Sequence, residues 1–230
     1  MTKIIFFYGL RRSGNHGILN LFMKGYPNYV HINDTILNFN EYENYKNIDI
    51  TTRNIDIKYS GFKDCDLLII SMENQIPDFN EINKFSEIED INIFILLRNP
   101  INNLESAWTI YSDKEKVKEI RNLWLKYSNL FINNTNEKIN YIIYEKFYKD
   151  EKYRISILDK LNINYNHVKN FLNESPGHAQ SSFKKDKKNH SKNKSIDLKI
   201  NLYNDNKNFK NLITNELKQN WKIIVKKFNC

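Results

Sequence analysis

Four stretches of the chain, 3–8, 66–71, 92–97 and 138–144, are short and nearly continuous in Ile, Leu, Phe and Tyr. Runs that are apolar toward both sides predict strands of a parallel sheet covered on each face, because a sheet with one wet face would alternate apolar and polar positions. A shorter strand is predicted at Tyr29 to Ile32. Between these runs, 15–24, parts of 78–89, 101–111 and 114–131 repeat apolar residues at helical spacing. In the last of them Val117, Ile120, Leu123, Trp124, Tyr127, Leu130 and Phe131 make one stripe. Strand and helix in alternation predict an α/β fold of three layers, with a mostly parallel central sheet flanked by helices.

Beyond Tyr144 the pattern turns helical. Phe147, Ile155, Leu158 and Leu161 predict one helix, and His167 to Leu172 a short second one. Residues 175–195 combine Pro, Gly and Ser with many lysines and predict a mobile basic loop. The chain ends in a predicted helix over about 207–228, whose Phe209, Leu212, Ile213, Leu217, Trp221, Ile224, Val225 and Phe228 form an apolar stripe. With 230 residues and no Pro/Gly/Ser-rich linker, one domain over 1–230 is the expectation.

Charge changes the picture only in part. The net charge of +8 suits an anionic ligand, but the chain is also crowded with Asn, Lys, Ile, Tyr and Phe, residues with A/T-rich codons, so some of the basicity reflects codon composition. The two cysteines, Cys65 and Cys230, stand in no metal-ligand or C-x-x-C spacing and read as reduced thiols. His167, His178 and His190 have no partner spacing for a metal, so no metal site is expected. No apolar stretch reaches the length of a membrane span, and no charged leader precedes an apolar run, so a cytoplasmic chain is expected. Nothing in the sequence signals an oligomeric state.

The chemistry concentrates where the first strand runs into Gly9-Leu10-Arg11-Arg12-Ser13-Gly14-Asn15-His16-Gly17 and opens a helix. A helix N-terminus carries unpartnered N–H groups and partial positive charge, so it favours phosphate or sulfate. Arginines there oppose the helix dipole, and no Asp or Glu stands in the first turn to balance them. The missing counter-charge points to a ligand. Asn15-His16 occupies the place where a Walker A loop has Lys-Ser/Thr, which removes the main parts of ATP or GTP chemistry, and no G-x-G-x-x-G run is present. A second corner has the same construction: the strand at 92–97 ends in Arg98-Asn99-Pro100, Pro100 pre-sets a helical turn, and Ser106 follows on that helix. Ligands of open parallel sheets bind beyond the carboxyl ends of the strands, where both corners lie. A nucleotide with phosphates at two positions would satisfy both.

In these features the chain resembles the sulfotransferases that use 3′-phosphoadenosine 5′-phosphosulfate. A third block is also similar: Tyr141-Ile142-Ile143-Tyr144-Glu145-Lys146-Phe147 and the helix after it look like the family's strand ending in Tyr-Glu-Asp-Leu. The resemblance, over about Lys3 to Leu172, implies a P-loop-like sulfotransferase architecture. It implies that the loop Arg11, Arg12, Ser13, Gly14, Asn15, His16 and Gly17 holds the 5′-phosphosulfate, that Arg98 and Ser106 hold the 3′-phosphate, and that Tyr144 lies near the adenine. Ser182, Phe183 and Lys184 look like part of the family's loop that closes over the nucleotide. Arg12 stands where many members have lysine. It remains a planar donor for phosphate or sulfonate but cannot serve as an acid, so its implied role is charge stabilisation.

The reaction so implied is transfer of a sulfuryl group to an acceptor hydroxyl, with no metal. It needs a proton acceptor, for which Glu73, after the strand at 66–71, is the first candidate and His16 the second; His31, within a predicted strand, reads as structural. The expected acceptor is a carbohydrate or glycolipid hydroxyl, lodged by loops within 33–60 and 75–89. The competing reading is a non-catalytic basic module for nucleotide or nucleic acid with the lysine-rich 184–199 as its tether. No sequence-specific nucleic-acid contact is expected.

Overall fold

A computed structural model describes residues 2–34, 49–53, 65–85, 90–111, 113–133, 136–172 and 206–229. The predicted loop at 175–195, with Ser182, Phe183 and Lys184, lies outside the described residues, as do 35–48, 54–60 and 86–89 of the two segments expected to line an acceptor pocket. The strands are β1 (Lys3–Gly9), β2 (Tyr29–Asn33), β3 (Asp49–Arg53), β4 (Leu67–Glu73), β5 (Asp90–Leu97) and β6 (Ile139–Ile143). They form one sheet in the order β3-β2-β4-β1-β5-β6, parallel throughout except where the edge strand β3 runs antiparallel to β2.

The helices are α1 (Asn15–Lys24), α2 (Phe79–Phe85), α3 (Pro100–Tyr111), α4 (Lys114–Asn133), α5 (Tyr144–Lys149), α6 (Glu151–Asp159), α7 (Tyr165–Val168), α8 (Lys207–Lys210) and α9 (Asn215–Phe228). The period of two along the strands sorts their side chains between two cores. Ile4, Phe6, Tyr8, Leu68, Ile70, Ile93, Ile95 and Leu97 face one, closed by Leu104 of α3, Trp124 and Tyr127 of α4, and Leu217 and Ile224 of α9. Ile5, Phe7, Leu67, Ile69, Phe94 and Leu96 face the other, closed by Ile18 and Phe22 of α1, Phe147 of α5 and Leu158 of α6. The fold is therefore a three-layer α/β fold, and its strands are apolar on both sides because both sides are covered.

Three expectations differ in detail. The helix expected through Phe147 to Leu161 is two, because Asp150 takes an extended backbone and its side chain accepts from the Tyr153 N–H at 3.0 Å, starting α6 anew. The helix expected over 207–228 is interrupted after Lys210, and Thr214 caps α9 by accepting from the Leu217 N–H. β3 was not foreseen. It is a short edge strand of sequence Asp-Ile-Thr-Thr-Arg, without the apolar run that marks the others.

The topology sets the site. Helix α1 leaves β1 on one face, whereas the connection from β4 carries α2 on the opposite face and crosses to β5 on the far side of β1. The carboxyl ends of β4, β1 and β5 thus meet at a point where successive connections diverge, the place where open α/β sheets open a crevice.

Candidate active site

The loop from β1 to α1 is shaped by its backbone. Arg12 is left-handed at φ 69° and Gly14 at φ 96°, conformations that cost little for glycine and more for arginine. At Gly14 a Cβ would stand 2.2 Å from the Tyr144 ring, so the loop lies directly against that ring. Helix α1 begins without a side-chain cap or an acidic residue in its first turn. The amides of its opening turn have no intrahelical acceptor by construction. Gly17 is an exception, since its N–H reaches the Gly14 carbonyl at 3.2 Å.

Beneath the loop its side chains are tied together. Ser13 and Asn15 are 1% and 4% exposed. The Ser13 hydroxyl lies 2.6 Å from the Leu10 carbonyl and 2.7 Å from Asn15 Oδ1. Asn15 Nδ2 donates to Glu73 Oε1 at 2.9 Å and to the Leu10 carbonyl at 3.2 Å. Both side chains are thus turned into the loop's underside rather than outward. Glu73, the last residue of β4, also has Arg11 Nε 3.4 Å from its Oε2. Arg11 in turn donates to Asp34 at 2.8 Å, and this contact, ahead of the opposing burial, raises the guanidinium pKa. Asn74, left-handed after β4, closes the corner: its N–H donates to the Gly9 carbonyl and its Oδ1 accepts from the Arg11 N–H.

The second corner reaches into the first. Asn99 caps α3, its Oδ1 accepting from the Ile101 N–H at 2.9 Å, and no acidic residue stands in the first turn of that helix. Arg98 donates from Nη1 to the Arg12 carbonyl at 2.6 Å and stacks over the Tyr144 ring at 4.7 Å; the Trp124 indole holds its backbone carbonyl at 2.9 Å. Arg98 Nε is buried without a hydrogen-bond partner. The Arg12 guanidinium meets Ser106 Oγ, at 3.4 Å from Nε. The two arginines therefore interlock, each reaching a residue of the other's corner. Asn103 Nδ2 adds a bond to the Arg11 carbonyl at 3.0 Å.

Tyr144 and Glu145 open α5 below this junction. Burial raises the Tyr144 pKa, opposed by the Arg98 charge, and one face of its ring carries that guanidinium. Burial also raises the Glu145 pKa, although its Oε1 accepts from the Asn99 N–H at 2.9 Å; its Oε2 is buried without a hydrogen-bond partner. His31 is buried in β2, with Nε2 2.8 Å from Ser71 Oγ.

The structure thus brings Arg11, Arg12, Ser13, Gly14, Asn15, His16, Gly17, Glu73, Arg98, Ser106 and Tyr144 to one edge of the sheet. Sequence reasoning missed Asp34, Asn74, Asn103 and the Glu145 contact. Of these only the Glu145 contact, made to the Asn99 N–H, touches a readable signal, an Asn before the proline that starts a helix. As an anion site the junction fits a phosphorylated ligand: two helix starts with no acidic residue in their first turns, two arginines, and a buried guanidinium nitrogen lacking an acceptor. Among the described residues no cluster of three His, Cys, Asp or Glu side chains is arranged to hold a metal, and no helix is long and apolar enough to cross a membrane.

No protein-family model matches the chain, and no curated protein matches it in sequence. Solved structures do match in shape. Mouse sulfotransferase SULT7A1 complexed with PAP aligns over 98% of this chain and 84% of its own, with TM-score 0.52 and 15% identity. The sulfotransferase domain of the Synechococcus PCC 7002 olefin synthase aligns over 73% and 75%, with TM-score 0.47 and 15% identity. A sulfotransferase from Alicyclobacillus acidocaldarius aligns over 71% and 82%, at 0.44 and 14%. With the parallel sheet, the layered helices and the near-complete overlay on the mouse enzyme, the chain has a sulfotransferase-like fold.

Proposed function

We propose that the chain is a sulfotransferase that moves the sulfuryl group of 3′-phosphoadenosine 5′-phosphosulfate to an acceptor hydroxyl, with a carbohydrate or glycolipid as the acceptor class. The observation that carries this reading is the interlock of Arg12 and Arg98 at two helix starts that hold no acid of their own. One anion at each corner, linked by a nucleoside, matches that arrangement better than a single phosphate does. The fold shared with a PAP-bound sulfotransferase supports the same donor. Tyr, Asn and Asp in the segments 33–60 and 75–89 suit a hydroxylated acceptor.

When bound, the donor supplies a sulfuryl group on a phosphate leaving group; the remaining work falls to side chains and amides of this chain. The first-turn amides of α1 and the Arg12 guanidinium are fixed donors for charge on the oxygens of the reacting end, and such donors act best when they need no reorganisation. Arg98, with Ser106, offers a second anion the unfilled Nε. Glu73 accepts the hydroxyl proton. Its two oxygens each already hold one donor, from Asn15 and from Arg11, and each keeps a further lone pair. His16 is the second proton acceptor within the loop.

Glu73→Gln keeps size and hydrogen bonding but removes the proton acceptor. It is expected to leave donor binding nearly unchanged and to cut turnover by about 10² or more. The assay is release of adenosine 3′,5′-bisphosphate from the donor in the presence of a panel of glycan acceptors. Near-normal turnover in folded Glu73→Gln would pass the proton to His16, whose Asn substitution would then abolish activity.

A further inference from the structure

We infer that Asn15 is a positioning residue that fixes the Glu73 carboxylate against the anion loop, and not a side-chain ligand of the anion. Asn15 is buried, and its three polar contacts all turn inward: Nδ2 to Glu73 Oε1 and to the Leu10 carbonyl, and Oδ1 to the Ser13 hydroxyl. Gly9 is shaped to this arrangement. A Cβ there would stand 1.9 Å from Asn15 Oδ1, so the end of β1 must be glycine for the amide to cross beneath it. Asn15 spans the gap between the loop that would hold the anion and the strand that carries the carboxylate, 58 positions apart in sequence.

The amide has a geometric consequence beyond tethering. Oε1 holds the Asn15 donor and Oε2 faces Arg11, so the tie sets the direction in which Glu73 presents its remaining lone pairs. The other charged and titratable groups around Glu73 are Arg11 from the loop after β1, Asp34 beyond β2, which shares Arg11, Tyr127 from α4, and His16 next to Asn15 on α1. Arg11 is the charged one in direct contact with the carboxylate, and it is half-exposed, whereas the Asn15 donor is buried.

The inference takes from the proposed function only what Glu73 does; the contact itself is tested without turnover. In protein labelled with ¹⁵N at asparagine side chains, the Asn15 amide resonances are identified by their loss in Asn15→Ala. In the parent protein one Nδ2 proton is expected to exchange with solvent at least about tenfold more slowly than in Glu73→Ala, which removes its carboxylate acceptor. Asn15→Ala is expected to bind adenosine 3′,5′-bisphosphate within about threefold of the parent protein. Amide exchange that is unchanged in Glu73→Ala, or a loss of bisphosphate affinity of about tenfold or more in folded Asn15→Ala, would overturn the inference. Normal turnover in Glu73→Gln together with slow Asn15 amide exchange that Glu73→Ala abolishes would instead remove the base assignment and leave the tie standing.

Discussion

Arg98 is the side chain on which most of the site converges, since it braces the Arg12 carbonyl, stacks on Tyr144 and retains one buried nitrogen for an acceptor. Arg98→Ala is expected to weaken adenosine 3′,5′-bisphosphate binding by about 1.5 to 3 kcal/mol and to change AMP binding far less, measured by titration calorimetry on folded protein. Equal losses for both nucleotides would take the second phosphate away from Arg98. Glu145, just below, gives a pH signature. Burial raises its pKa from the usual 4.5, so the folded state keeps the proton longer than the unfolded chain does. That contribution to stability is present below about 4.5 and is lost as pH rises through the raised value. Across that interval the parent protein is expected to lose stability relative to Glu145→Gln, followed by urea denaturation at a series of pH values. A difference that stays flat or runs the other way would mean that the Asn99 hydrogen bond outweighs burial.

The loop between β1 and α1 is the element that all of these side chains serve, and Gly14 is where it is most constrained. Gly14→Ala would place a methyl group against the Tyr144 ring at a left-handed backbone position. It is expected to cost at least about 1–2 kcal/mol of stability, seen by denaturant titration, together with a loss of bisphosphate affinity; an Ala variant with parental stability and affinity would contradict the described loop. The strands at 3–9, 67–73 and 90–97 were legible because burial on both faces requires uninterrupted apolar runs, and the loop was legible because glycines and arginines flank a helix start. The roles inside it were not. Nothing local distinguishes an Asn15 amide turned outward to a ligand from one turned inward to Glu73, because the partner is supplied by another strand through the fold. The polar edge strand β3 and the break at Asp150 escaped for a related reason: one forms by pairing with β2, the other by a single capping bond, and neither leaves an apolar period.

At the scale of the whole molecule, two cores hold the sheet from either side and leave its carboxyl edge to the arginine corners, which are the part of the structure that the net charge of +8 leads one to look for. The central claim is that this edge is one site for a nucleotide with two separated phosphate groups. Calorimetric titration of the folded protein with adenosine 3′,5′-bisphosphate, with AMP and with single-stranded nucleic acid at two salt concentrations tests it directly. The account predicts one site that binds the bisphosphate about tenfold or more tighter than AMP, the worth of one added charged hydrogen bond. Equal affinity for the two nucleotides, or a preference for polymer that falls steeply with salt, would contradict it.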